Sequence, residues 1–291
     1  MRTLHAGSFR LALDRPLVMG IVNVTPDSFA DGGHYRRHGE AETHARRLLD
    51  EGADILDIGG ESTRPGAVPV SDDEELQRVM PLLERLAGCG KPVSVETRKP
   101  RVMQAAIAAG AAMINDIDAM RVPGALQALA ASDAAVCLMH IQGQPGTMQE
   151  SPQYGDVVAE VLAYLAERIA ACRAAGIAAD RLVVDPGFGF GKSLDHNLSL
   201  LRELERFGSL DVPLLAGLSR KGMLGKLTGQ PVEQRVHASV AAALAAASRG
   251  AAILRVHDVA ATVDALKIWQ AAGLGKAAAG ESSAIGTQNV T

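Results

Sequence analysis

A chain of 291 residues that is 47% hydrophobic and 21% charged is a globular protein with a large core. Its formal net charge of −4 argues against the basic face of a general nucleic-acid binder. Aromatic residues make up only 3%, too few for the stacking platforms of single-strand binders.

The first segment, RTLHAGSFRLAL (2–13), is expected to form a small hairpin across the base of the fold that follows. It has no apolar leader region, and no apolar run along the chain is long enough to span a membrane. Apolar, β-branched runs then recur, read as strands at 17–24, 54–60, 92–97, 112–117, 135–140, 182–187, 213–219 and 252–257. Helical patterns lie between them, for example at 41–52, 155–176 and 233–250. Continuous apolar strands are buried on both faces, and strict alternation with helices makes the sheet parallel. Eight such units in roughly 250 residues predict an α/β fold, the (β/α)8 TIM barrel. A doubly wound open sheet would carry a Gly-x-Gly-x-x-Gly fingerprint at its first strand-to-helix turn, where this chain has NVTPDSFADGG. One domain over 1–274 and a disordered tail over 275–291 are expected. Cys89, Cys137 and Cys172 are isolated, which suits free thiols in a reducing compartment, and the expected location is cytoplasmic.

The stretch VVDPGFGFGKS (183–193) ends like a nucleotide-binding P-loop. That motif needs a glycine where this chain has Pro186, which offers no N–H to a phosphate. The glycine run must serve something other than ATP.

In a barrel the active site lies at the C-terminal ends of the strands. Here those ends carry Asn23, Asp57, Glu96, Asn115 with Asp116, His140, Asp185, Ser219, and Arg255 with His257. A single polar strand end is easily a loop cap, but eight of them predict a polar ligand site on one face, because each unpaired buried group costs about 1–3 kcal/mol. Glu96, Asn115 and Asp185 suit the donor and acceptor edge of a planar, amide-like heterocycle. Lys221 and Arg255 bring cations that can bond or stack on a flat ring. Arg64, His257 and the amides near Thr63 suit an anion, and Asn23 can place a carbonyl oxygen on Mg²⁺.

Five motifs, MGIVNVTPDSFADGG (19–33), DIGGESTRPGA (57–67), DPGFGFGK (185–192), GLSRKGMLG (217–225) and RVHDV (255–259), resemble those of the dihydropteroate synthases. The resemblance runs from about residue 9 to residue 272 and implies the same barrel. It implies joining of 6-hydroxymethyl-7,8-dihydropterin diphosphate to 4-aminobenzoate, with Mg²⁺ on Asn23. It also implies a catalytic set of Asp31, Asn115, Asp185, Lys221 and Arg255. Substrate contacts are expected from Phe29, Thr63, Arg64, Pro65, Glu96, Asn115, Asp185, Phe190, Ser219, Lys221, Arg255 and His257. Loops at 25–33 and 61–67 are expected to close over the intermediate and exclude water. The family commonly dimerises through its last helices, so a homodimer is expected. SRKGMLG shows no inserted aromatic residue, so ordinary sulfonamide sensitivity is expected. The family usually has Asp at Glu96 and an uncharged residue at Arg98, and DIDAM (116–120) is atypical. One reading has Arg98 pairing with Glu96 and drawing it from the site.

Overall fold

The computed structural model describes residues 2–25, 34–64 and 66–274, and the side chains of all of these but 34–38. Two short strands, β1 (Thr3–Ala6) and β2 (Phe9–Ala12), form an antiparallel hairpin. Eight parallel strands follow: β3 (Leu17–Asn23), β4 (Ile55–Gly59), β5 (Val93–Glu96), β6 (Met113–Asp116), β7 (Ala135–Met139), β8 (Leu182–Asp185), β9 (Leu215–Ala216) and β10 (Ile253–Val256). Their order is β8-β7-β6-β5-β4-β3-β10-β9. A parallel bridge between Val184 and Leu214 joins the two ends and closes the barrel.

Helices α1 (His34–Asp50), α2 (Asp72–Arg85), α3 (Pro100–Ala108), α4 (Ala125–Ala130), α5 (Val157–Ala174) and α6 (Leu194–Arg202) each follow one strand in turn. Strand β9 is followed by two, α7 (Gly222–Thr228) and α8 (Val236–Ala247), and β10 by α9 (Val259–Ala271). The expected segments therefore hold, although α1 begins well before residue 41. Local chemistry sets several starts. Ser71 accepts from Glu74 N at 3.2 Å ahead of four acidic residues, and Asp156 accepts from Val158 N and Ala159 N at 3.0 Å. Each cap satisfies amides that the first turn leaves unpaired, and acids there oppose the helix dipole favourably.

Successive strand residues face opposite sides, and the core divides accordingly. Val18, Val22, Leu56, Ile58, Val95, Ile114, Val136, Leu138, Val184 and Leu254 pack with the helices. Leu17, Met19, Ile55, Met113, Ala135, Cys137, Val183, Leu215 and Ile253 form a separate interior cluster with Leu4 and Ala6 of the hairpin. The hairpin thus stoppers the N-terminal end of the barrel, as expected, and the inward ladder continues upward from that cluster. Two residues above Ile55 comes Asp57, above Met113 comes Asn115, above Val183 comes Asp185, and above Ile253 comes Arg255. The polar mouth is the upper layer of the ladder whose lower layer is apolar.

Leu4 is fully buried in this stopper. Leu4→Ala should lower the unfolding free energy by about 3 kcal/mol, the usual cost of a buried leucine cavity, read from the denaturant midpoint.

Candidate active site

The mouth is built around Arg255. Its Nε donates to Asp57 Oδ2 at 2.6 Å and its Nη2 donates to Glu96 Oε2. Asp57, with no exposed surface, also accepts from Asn115 Nδ2 at 3.0 Å. Glu96 Oε1 accepts from the Thr63 hydroxyl at 3.1 Å. One network therefore ties β4, β5, β6 and β10 to the loop after β4. Burial opposes the charge on Arg255, but Glu96 and Asp57 outweigh it and raise its pKa further. Burial lifts the Glu96 carboxyl above its usual range against the pull of Arg255.

Asp185 faces the same space. It is buried, its Oδ1 accepts from Gly187 N at 2.7 Å, and burial raises its pKa while Lys221 opposes the rise. Lys221 donates to Phe188 O, and its Nζ sits 4.2 Å from the centroid of the Phe190 ring. Burial brings its pKa down to about 8, with Asp185 resisting and Arg255 assisting. Its neighbour Arg220 does something different. Held at φ +57, it forms a two-point ion pair with Asp258, at 2.5 and 3.0 Å. A non-glycine residue in the left-handed region is strained, and here the bend separates the two cations, one toward Asp258 and one into the mouth.

His257 Nδ1 lies 3.0 Å from the Ser219 hydroxyl, which also accepts from His257 N at 3.2 Å. Burial, then Arg255 and Arg220, bring the His257 pKa to about 3, so it is a neutral polar group near pH 7. Arg64 is exposed on the loop beside Thr63. Phe29, Asp31 and Pro65 lie outside the described residues. Among the described residues no cluster of three or more His, Cys, Asp or Glu could hold a metal. The Asn23 and Glu96 oxygens converge on Gly59: a Cβ added there would lie in contact with both, 3.4 Å from Asn23 Oδ1 and 3.5 Å from Glu96 Oε2. Two side-chain oxygens beside a residue without a side chain are the donor type that fits a hard cation arriving with phosphate oxygens of its own.

Two strand ends turn away from this set. Asp116 accepts from Met120 N at 2.6 Å and Asp118 N at 2.8 Å, capping its own loop. His140 is engaged by Lys192 at 2.9 Å. The reading in which Arg98 pairs with Glu96 is overturned. Arg98 instead bonds Glu61 and Gln144, each at 3.2 Å, and lies 3.6 Å from Asp118. The unusual Arg98 thus lies against Asp118 of the atypical DIDAM segment, which also pairs with Arg121 at 3.2 Å, and beside Lys99, which bridges Glu61 and Glu75 at 2.5 and 2.6 Å. Asp57 was legible only as a strand-end acid; its hub position depends on Arg255 and Asn115.

The glycine-rich loop runs opposite to a P-loop. Its amides point inward, Gly189 N to Asn197 Oδ1 at 2.7 Å and Phe190 N to Gly187 O at 3.1 Å, while its carbonyls collect donors. Glycine is required by crowding: a Cβ on Gly187 would come within 1.9 Å of His140 O, and one on Gly191 within 2.3 Å of Gln142 O, both at positive φ.

The sequence from residue 19 to 257 matches the model of the pterin binding enzyme family. The dihydropteroate synthase of Neisseria meningitidis serogroup B is 55% identical over 277 residues, covering 93% of this chain and 97% of its own length. The chain belongs to the dihydropteroate synthase family. The solved Xanthomonas albilineans dihydropteroate synthase with 4-aminobenzoic acid superposes with a TM-score of 0.88 at 57% identity, covering 94% of this chain and 99% of that one. The Burkholderia cenocepacia dihydropteroate synthase complexed with 7,8-dihydropteroate gives 0.85 at 52% identity, over 94% and 96%.

Gly187→Ala should cost at least about 2 kcal/mol through strain and displacement, seen as a lower melting temperature. Gly222→Ala, where an added Cβ meets nothing within 4 Å, should leave it nearly unchanged.

Proposed function

We propose that the barrel mouth binds 6-hydroxymethyl-7,8-dihydropterin diphosphate and 4-aminobenzoate and joins them into 7,8-dihydropteroate with release of diphosphate. The observation that carries this reading is the meeting of two surfaces in one cleft. Buried Asn115 and Asp185 offer the donors and acceptors that suit an amino-pyrimidinone edge, and beside them the Phe190 ring lies under the Lys221 ammonium. Family membership, with relatives that bind 4-aminobenzoic acid or 7,8-dihydropteroate, supports the same chemistry.

In this reading Asn115, Asp185 and Glu96 orient the pterin and Arg255 and Lys221 flank it. Thr63, Arg64, Ser219, Arg255 and His257 receive the diphosphate. Phe29, Pro65 and Phe190 wall the aminobenzoate, and Asp31 belongs to the loop that closes over the intermediate. The bond between the pterin CH₂ and the diphosphate oxygen breaks, and its electron pair leaves on that oxygen. The aminobenzoate nitrogen then bonds the CH₂ and gives up a proton. Ionisation leaves positive charge spread over the pterin, which in this reading the Asp185 carboxylate stabilises. His257 is neutral and so contributes a polar hydrogen-bonding group rather than charge. Bound Mg²⁺ would be held by Asn23 and the diphosphate oxygens and would neutralise charge on the leaving group. Closure of the loops would keep water from capturing the cation.

We further propose a cytoplasmic homodimer. Among the described residues no helix is long and apolar enough to cross a membrane. Ile268 on α9 and Leu274 just beyond it are 72% and 63% exposed, and α8 is mostly alanine, so the last helices can pack closely on a second copy.

Diphosphate release should require the pterin substrate, and dihydropteroate should form only when 4-aminobenzoate is added. A chain that binds pterin without turnover would be a non-catalytic relative. Asn23→Ala should raise the Mg²⁺ needed for half-maximal rate by roughly tenfold, as for loss of one contact worth about 1.4 kcal/mol; an unchanged requirement removes Asn23 from the metal site. The quotient kcat/KM reports the free enzyme, so for the pterin substrate it should fall above about pH 8, approaching about tenfold per unit, as Lys221 loses its proton. Lys221→Met should be slow and lack that limb.

A further inference from the structure

Lys192 closes the glycine-rich motif, is buried, and has no part in the chemistry above. Its Nζ donates to His140 Nδ1 at 2.9 Å and to Gly187 O and Phe190 O at 3.0 Å each, with His140 O more distant at 3.4 Å. The other carbonyls of the loop are also taken by side chains. Phe188 O accepts from Lys221, Gly189 O from Gln149 at 2.5 Å, and Gly191 O from the Tyr154 hydroxyl at 2.8 Å. Three close acceptors around one nitrogen match the three N–H bonds of an ammonium; a neutral amine has only two. His140 can be the third acceptor because burial and the nearby lysine bring its pKa to about 3.

Burial pulls the Lys192 pKa well below its usual range, and the field of Asp185 works against that pull. Keeping a buried cation with no carboxylate in contact is costly. The geometry indicates what the cation holds in place. Its two loop acceptors are the carbonyls of Gly187 and Phe190. Gly187 N bonds Asp185 Oδ1, and the Phe190 ring lies against Lys221. One ammonium therefore fixes the span between the carboxylate on one side of the cleft and the aromatic wall on the other.

We infer that Lys192 is a positioning residue, which sets the Phe190 ring relative to Asp185 and so governs how the aromatic amine substrate is presented to the pterin. The substrate named here rests on the proposed activity; the placement of the ring does not.

Lys192→Met keeps the length of the side chain and removes every donor, and it should be compared in the full chain with Phe190→Ala and the double variant. The expected result is a folded protein whose KM for 4-aminobenzoate rises about tenfold while kcat changes less than about threefold. In the Phe190→Ala background the same substitution should add less than about twofold, because the ring it acts through is gone. Additive effects, or an unchanged KM in folded Lys192→Met, overturn the inference. The ring can be read without turnover by labelling the five phenylalanines with 4-fluorophenylalanine and assigning the Phe190 resonance with Phe190→Leu. That resonance should shift and broaden in Lys192→Met, even if the chain does not use 4-aminobenzoate. An unmoved resonance refutes the inference whatever the activity. Lys192→Gln, which retains a donor, should give a smaller change of the same kind. If neither variant folds, Lys192 is needed for folding alone and the inference fails.

Discussion

Arg255 lies between Asp57 and Glu96, and the mouth of the barrel is organised by that contact. A guanidinium held this deep needs carboxylates to share its charge, since an unpaired buried charge is costly. Asp57 in turn holds Asn115, and Glu96 holds Thr63. Removing any one member would leave its partners with unsatisfied hydrogen-bonding groups in a desolvated space. This network pre-arranges polar groups from four strands and a loop before any ligand enters, so less reorganisation is left for the moment of binding.

The ladder of inward residues makes such a network compatible with a stable barrel. The lower rungs are apolar and pack against the hairpin, and the upper rungs carry the polar groups. The same alternation that buries Ile55 presents Asp57 two residues later. Charge is thus confined to one end of the interior, and the other end is left to packing.

Much of this was legible in the chain itself. Apolar runs separated by helical patterns give a parallel barrel because backbone pairing and burial leave few other arrangements. Polar strand ends mark the mouth because every strand must finish there. The partnerships were not legible. Arg255 and Asp57 are 198 positions apart, and only barrel closure brings them together. Lys192 and His140 are 52 apart, so the sequence showed a basic residue after glycines and nothing of the carbonyls it gathers. Arg98 and the DIDAM segment each looked anomalous alone, and the proximity of Arg98 to Asp118 links the two without involving Glu96. Phe29, Asp31 and Pro65 lie outside the described residues.

With Leu4 and Ala6 wedged among the lowest rungs, the hairpin covers the base of the barrel. Removing the hairpin would expose Leu17, Met19, Ile55 and Met113 to water, at a cost of about 25 cal/mol for each Å² uncovered. A short segment remote from the polar mouth thus shields the apolar half of the interior.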